Sequence, residues 1–325
     1  MNRNLLKKLI IGGAILLSAT IPVLGEQKQA QQPVKSEKQV MFGKRDPFVP
    51  PKNLYYLLRQ EEKIVKSLEE LTRRLEKDGF DKKQVLDSYA DKRFIIHREI
   101  ISRFDKSPEA KGAKGIITYD KYRKNLGLEE KLIRAPDFLK KHKEELAAAE
   151  KKYGVDKRYV VAILGIESDF GNNGGHYYAF NALASMYVTR LKEFAYSELK
   201  EYLAICNKNK KDLFDYKSSY AGALGYAQFI PSSFNSLFTG KNDDCVADPY
   251  NIEDCIHSIA NYLQKSGWNA KSNSKIPAEN SRNWKSIKSY NNSKFYVKAV
   301  IELATKAKWN ADDLKVVSSS AVIFE

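Results

Sequence analysis

The stretch Val160–Gly171, VVAILGIESDFG, sets a single glutamate, Glu167, at the end of an almost wholly apolar run and just ahead of a glycine. A helix that is apolar on every face lies inside its domain. A carboxylate at the C-terminal end of such a helix is desolvated and sits at the negative pole of the helix dipole, and both effects favour the protonated form. A carboxyl that keeps its proton near neutral pH can give it to a leaving oxygen. Taken alone, the stretch reads equally well as a surface glutamate in a frayed last turn.

Helical spacing extends outward on both sides. Ile64, Val65, Leu68, Leu71 and Leu75 recur every three or four residues until Gly79. Further helices are expected at Val85–Tyr89 and Arg98–Phe104, then, after a loop at Ser107–Gly115, over Ala135–Tyr153, closing at Gly154. Asp156 caps the helix that carries Glu167. Helices follow at Asn181–Thr189, Glu193–Asn207, Pro231–Phe238, Asn251–Ser266 and Lys294–Lys308. Alternating strand patterns are scarce, so the expected class is mainly α.

The 325 residues divide into expected units. Arg3, Lys7 and Lys8 precede the apolar run Leu9–Leu24, and Val23 and Gly25 offer a small-residue cleavage site. Residues 1–25 therefore read as a signal peptide cleaved near Gly25, with no following cysteine to take a lipid. An uncleaved tether is the alternative. Residues 26–50, rich in Gln, Lys and Pro, read as a disordered leader. An N-terminal helical subdomain is expected over 51–150, a catalytic domain over 151–310 and a tail over 311–325.

The formal charge is +15, and +12 without the three basic residues of the signal peptide. A basic exported chain is drawn to wall polymers and the anionic membrane surface. No nucleic-acid module is present in the sequence, and a monomer is expected.

Three later segments read as walls of a cleft. In Ser219–Ser233, SYAGALGYAQFIPSS, Gly222 and Gly225 allow close backbone approach, while Tyr220, Tyr226 and Gln228 supply flat faces and amide groups. Asn261–Trp268, NYLQKSGW, offers Tyr262, and Ser289–Tyr296, SYNNSKFY, offers Tyr290, Asn291 and Tyr296. Aromatic faces alternating with amides and hydroxyls suit sugars. Each tyrosine alone reads as well as a core ring with its hydroxyl satisfied.

In this order the segments resemble the lytic murein transglycosylase B family. The resemblance runs over roughly residues 115–308, through Tyr153–Val155, the GIES of Gly165–Ser168, the Ser219–Ser233 segment, the ANYL ending at Leu263 and the SYNNS ending at Ser293. It implies a lysozyme-like helical core, peptidoglycan glycan strands as substrate, and Glu167 as the catalytic acid. By the same carry-over Ser219, Gln228, Tyr262, Tyr290, Asn291 and Tyr296 are expected to line the substrate cleft, and Arg190 to contact the peptide stem. Asp169 is excluded as a second carboxylate, because residues two apart on a helix diverge. The resemblance implies that Glu167 serves as acid and then base while the MurNAc 6-hydroxyl closes on C1 to give a 1,6-anhydro end.

Two departures stand out. The stretch Thr239–Pro249 lacks the regular acid spacing of a calcium loop and carries Lys241, so no metal or other cofactor is expected. The interval between Tyr262 and Tyr290 is also short for the family. Cys245 and Cys255 flank the altered loop, and a disulfide between them would close about eleven residues and contribute roughly 2–3 kcal/mol. Cys206 is expected to be free. The functional alternatives are a hydrolytic muramidase on the same fold and a wall-binding scaffold without activity.

Overall fold

The computed structural model describes residues 52–105, 118–241 and 247–314. The expected signal peptide, leader and Ser107–Gly115 loop lie outside these residues, as does the end of the tail.

Among the described residues the helices are α1 (Lys52–Lys77), α2 (Lys82–Ala90), α3 (Arg98–Asp105), α4 (Tyr119–Asn125), α5 (Leu128–Lys141), α6 (Lys143–Tyr153) and α7 (Lys157–Ser168), followed by α8 (Ala179–Tyr187), α9 (Lys192–Asn209), α10 (Pro231–Leu237), α11 (Ile252–Lys265), α12 (Arg282–Tyr290), α13 (Lys294–Lys306) and α14 (Ala311–Leu314). The mainly α, lysozyme-like class holds. No described helix is long and apolar enough to cross a membrane.

The expected helix over Ala135–Tyr153 is corrected to two. His142, at φ −112° and ψ 28°, ends α5 and precedes α6. Residue 150 lies within α6, and one hydrophobic cluster takes side chains from both sides of it, from Leu71 to Ala307.

Helix α7 is the axis of that cluster. Asp156 caps it by accepting the Arg158 N–H, and Val161, Ala162, Ile163 and Leu164 are all fully buried. Helices α5, α6, α11 and α13 pack around it. Burial of a Val, Leu or Ile side chain contributes about 1.5–3 kcal/mol, so packing rather than propensity holds this helix. Gly165 is a point of close approach, for a Cβ there would come within 2.7 Å of the Phe170 ring.

A two-residue antiparallel ribbon, β1 (Tyr177–Tyr178) with β2 (Lys217–Ser218), stitches the segment after α7 to the segment before α10. Single bridges continue it from Ser218 to Leu224 and from Leu224 to Phe229.

Candidate active site

Glu167 lies in the last turn of α7, half-buried, where the helix meets α13. The hydroxyl of Tyr296, itself fully buried on α13, donates to Glu167 Oε1 at 2.7 Å. Burial pushes the Glu167 carboxyl up to about 7, against the opposing pull of that one hydrogen bond.

Asp169 is held away from any such role. It takes the left-handed conformation at φ 56° and ends α7. Lys131 Nζ reaches its carboxylate at 2.6 Å, and Arg134 Nη1 donates to both oxygens at 3.0 and 2.9 Å. Burial works to raise its pKa, but these two cations and Asn172 outweigh that and hold it down at about 2. Ser168 Oγ accepts the Gly171 N–H and donates to Leu164 O, fixing the turn beyond the acid.

Beyond Tyr296 the site continues as a file of rings. Tyr290 stacks parallel to Tyr296 at 6.5 Å, and Tyr262 meets Tyr290 edge-on at 4.7 Å. Phe229 stands edge-on to both Tyr262 and Tyr290. Tyr290 donates to Ala227 O, tying the end of α12 to the segment that holds Gln228. Tyr262 donates to Ser289 O at 2.7 Å.

The Ser219–Ser233 segment is shaped by glycine and by one strained residue. A Cβ at Gly225 would stand 2.1 Å from Pro249 O, at φ 61°. Gln228 is held at φ 52°, with Nε2 on Gly225 O at 2.8 Å. A non-glycine residue in this region costs on the order of 1–3 kcal/mol and persists where the surroundings impose it. Ser219 closes a local turn, its Oγ accepting the Ala223 N–H at 3.2 Å. Asn291 is 2% exposed and accepts the Ser293 N–H ahead of α13.

Thus Glu167, Tyr296, Tyr290 and Tyr262 form one contact series, and Gln228 joins it through Ala227. Arg190 does not. Its guanidinium is engaged by Phe104 O at 2.6 Å and its backbone N–H by Asp105, both at the end of α3.

Sequence reading missed Tyr122. It projects from α4, its ring lies 5.7 Å from Phe295, and its hydroxyl is buried with no hydrogen-bond partner among the described residues. Burial, and then the charge of Glu167, push its pKa up. The signal was present as two tyrosines three apart, Tyr119 and Tyr122, behind the N-cap Thr118.

The expected Cys245–Cys255 bridge is corrected. Cys255 is a free thiol, fully buried on the inward face of α11, where its Sγ reaches Pro249 O at 3.3 Å. Cys245 lies outside the described residues. Cys206 is free and fully buried, and burial pushes its thiol up to about 12.

Asp254 closes the altered loop instead. Its two carboxylate oxygens accept the backbone N–H groups of Lys241 and Asp248, at 3.0 and 2.8 Å. The Lys241 ammonium sits 2.7 Å from Glu253 and 3.6 Å from Glu145. Asp243 and Asp244, the two adjacent acids of the loop, lie outside the described residues.

The family model described as "Transglycosylase SLT domain" matches residues 63–283, and the chain belongs to that family. It is 30% identical to membrane-bound lytic murein transglycosylase B of Escherichia coli K12 over 150 residues, 46% of this chain and 42% of that relative. The match thus spans less than half of that relative's length. The fold superposes on the soluble lytic transglycosylase SltB1 of Pseudomonas aeruginosa with a TM-score of 0.64 and 25% identity, covering 74% of this chain and 97% of the other. A structure of SltB3 from Pseudomonas aeruginosa, in complex with NAG-anhNAM-pentapeptide, matches with a TM-score of 0.62 and 21% identity, covering 76% of this chain and 82% of the other.

Proposed function

We propose that this chain is a lytic transglycosylase that cleaves the MurNAc–GlcNAc β-1,4 bond of peptidoglycan and leaves 1,6-anhydroMurNAc ends. The observation that carries this reading is a lone acid poised near neutrality: Glu167 is held at about 7, while its neighbour Asp169 is neutralised by Lys131 and Arg134.

Glu167 begins protonated and gives its proton to the glycosidic oxygen as the C1–O bond breaks, so that GlcNAc leaves as an alcohol. Positive charge at C1 is met by the substrate's own N-acetyl group. The Glu167 carboxylate then takes the proton of the MurNAc 6-hydroxyl, whose oxygen bonds to C1. The acid is regenerated and no water is consumed. Tyr296 steadies the carboxylate between the two transfers, because a hydrogen-bond donor favours the charged form. The rings of Tyr290 and Tyr262 offer faces for sugars, and Gln228, Ser219 and Asn291 offer polar groups beside them. Holding the 6-hydroxyl about 3–3.5 Å from C1 favours internal attack over capture by a passing water.

Export through residues 1–25, action in the cell envelope and the division into leader, helical subdomain and catalytic domain belong to the same proposal.

Digestion of purified sacculi in heavy-oxygen water tests it. Unlabelled 1,6-anhydromuropeptides are expected as the major product. Heavy oxygen at C1 would identify a hydrolytic muramidase instead, and an absence of any cleavage would identify a binding scaffold.

A further inference from the structure

Gln228 stands at φ 52°, a conformation that glycine or asparagine takes at lower cost. The turn around it is closed at its base by the Leu224 N–H on Phe229 O at 2.8 Å. At its tip the Gln228 backbone N–H and Nε2 both donate to Gly225 O, at 3.3 and 2.8 Å. The remaining amide atom, Oε1, has no hydrogen-bond partner among the described residues.

A main-chain oxygen presses on this turn from outside. Pro249 O accepts the Tyr226 N–H at 2.8 Å and the Cys255 thiol at 3.3 Å, and it is the atom that leaves no room for a Cβ at Gly225. Pro249 is the middle residue of Asp248–Tyr250, a strut held at both ends. At one end Asp254, 9% exposed in the first turn of α11, accepts the Asp248 N–H at 2.8 Å with one oxygen and the Lys241 N–H at 3.0 Å with the other. At the other end the Tyr250 hydroxyl donates to Lys217 O at 2.7 Å and accepts the Lys217 N–H, which fastens the strut to the β1–β2 ribbon. Asp248 Oδ1 accepts the Tyr250 N–H at 2.9 Å and closes the strut on itself.

An acid in the first turn of a helix is favoured by the dipole wherever its oxygens point. The dipole alone does not call for both of them to lie on N–H groups of the preceding loop. Charge-assisted bonds of this kind have a narrow range of length and angle, so a carboxylate that makes two of them fixes where both donors stand.

We propose that Asp254 is a positioning residue for the cleft: through the Asp248–Tyr250 strut it sets where Pro249 O stands, and Pro249 O sets the turn that presents the Gln228 amide to substrate. This rests on the function proposed above, in which Gln228 is one of the polar groups beside the sugar-binding rings. Asp254 acts through the main chain.

The test reads the Gln228 side chain directly. In the full chain labelled with nitrogen-15, its amide signal is assigned by its loss in Gln228→Gly, a variant whose new residue takes positive φ without strain. Asp254→Asn keeps one acceptor oxygen where two are used, and is expected to shift that signal and speed its hydrogen exchange as the bond to Gly225 O loosens. On soluble glycan fragments, well below the melting temperature, the same variant is expected to lower kcat/KM about tenfold. In a Gln228→Gly background it should cost less than about twofold more, because both changes remove one interaction.

An unmoved Gln228 signal overturns the inference, and so do costs in kcat/KM that simply multiply. A lower melting temperature with kcat/KM unchanged overturns it as well, since Asp254 would then serve stability only. Should Asp254→Asn fail to fold, Tyr250→Phe loosens the other end of the strut and carries the same expectations. The proposed function fails by a different result, cleavage that survives Glu167→Gln, and the Gln228 signal does not depend on it.

Discussion

Tyr296 and Glu167 stand 129 residues apart in sequence and 2.7 Å apart in space, hydroxyl to carboxylate, where α13 crosses the end of α7. That hydrogen bond opposes the burial that holds the acid at about 7. A carboxyl poised there is about half protonated in neutral solution and has a donor ready when the proton leaves.

Glu167→Gln is expected to abolish cleavage, by about 100-fold to 10,000-fold or more, while sacculus binding persists. Turnover within tenfold of the parent would refute the role given to this residue.

The same variant is expected to be the more stable protein at high pH. The folded-state pKa of Glu167 lies above its ordinary 4.5, so its contribution is fully present below that value and is lost as pH rises through about 7. The difference approaches about 3 kcal/mol above pH 8 at about 1.4 kcal/mol per unit, and the glutamine is free of it. Melting temperatures of the two proteins should converge near pH 4 and separate above pH 7.

Tyr296→Phe removes the donor that lowers the Glu167 pKa. The alkaline limb of the activity profile should move upward by about one unit. An unmoved limb would mean that the hydroxyl serves packing only.

Asp169→Asn leaves the Lys131 ammonium, 6% exposed, without its charge partner. Leaving a buried ammonium short of its charged partner costs about 1–3 kcal/mol, and denaturant titration should show it. The turn after Glu167 loses its brace, so turnover should fall with stability.

The thiols offer a fifth measurement. Cys206 and Cys255 should resist alkylation in the native protein and react after denaturation, and reductant should leave the melting temperature unchanged. Native mass lower by two hydrogens, mapped to Cys255, would restore the disulfide.

The acid was readable because α7 is apolar on all faces, a pattern few surface helices show. Helix α4 was not, since YDKYRKN has no apolar periodicity, and its seat is a carboxylate 183 residues from Tyr119. The break at His142 carries no glycine or proline to announce it. Cys255 was read by its distance from Cys245, although Ile256, Ile259 and Leu263 already marked an inward face on that helix. Arg190 was carried over on residue type, and sequence says nothing of the backbone oxygen that claims it.

The small ribbon of Tyr177–Tyr178 with Lys217–Ser218, extended by the bridges at Leu224 and Phe229, ties the segment after α7 to the Ser219–Ser233 segment through main-chain hydrogen bonds. Segments joined in this way lose little freedom when a ligand arrives, and the entropy of ordering falls on the ligand instead. For a flexible polysaccharide that share is large. Calorimetry on glycan fragments of increasing length should therefore show an entropic penalty that grows with the number of sugars, while amide exchange across the ribbon stays as slow in the complex as in the free protein.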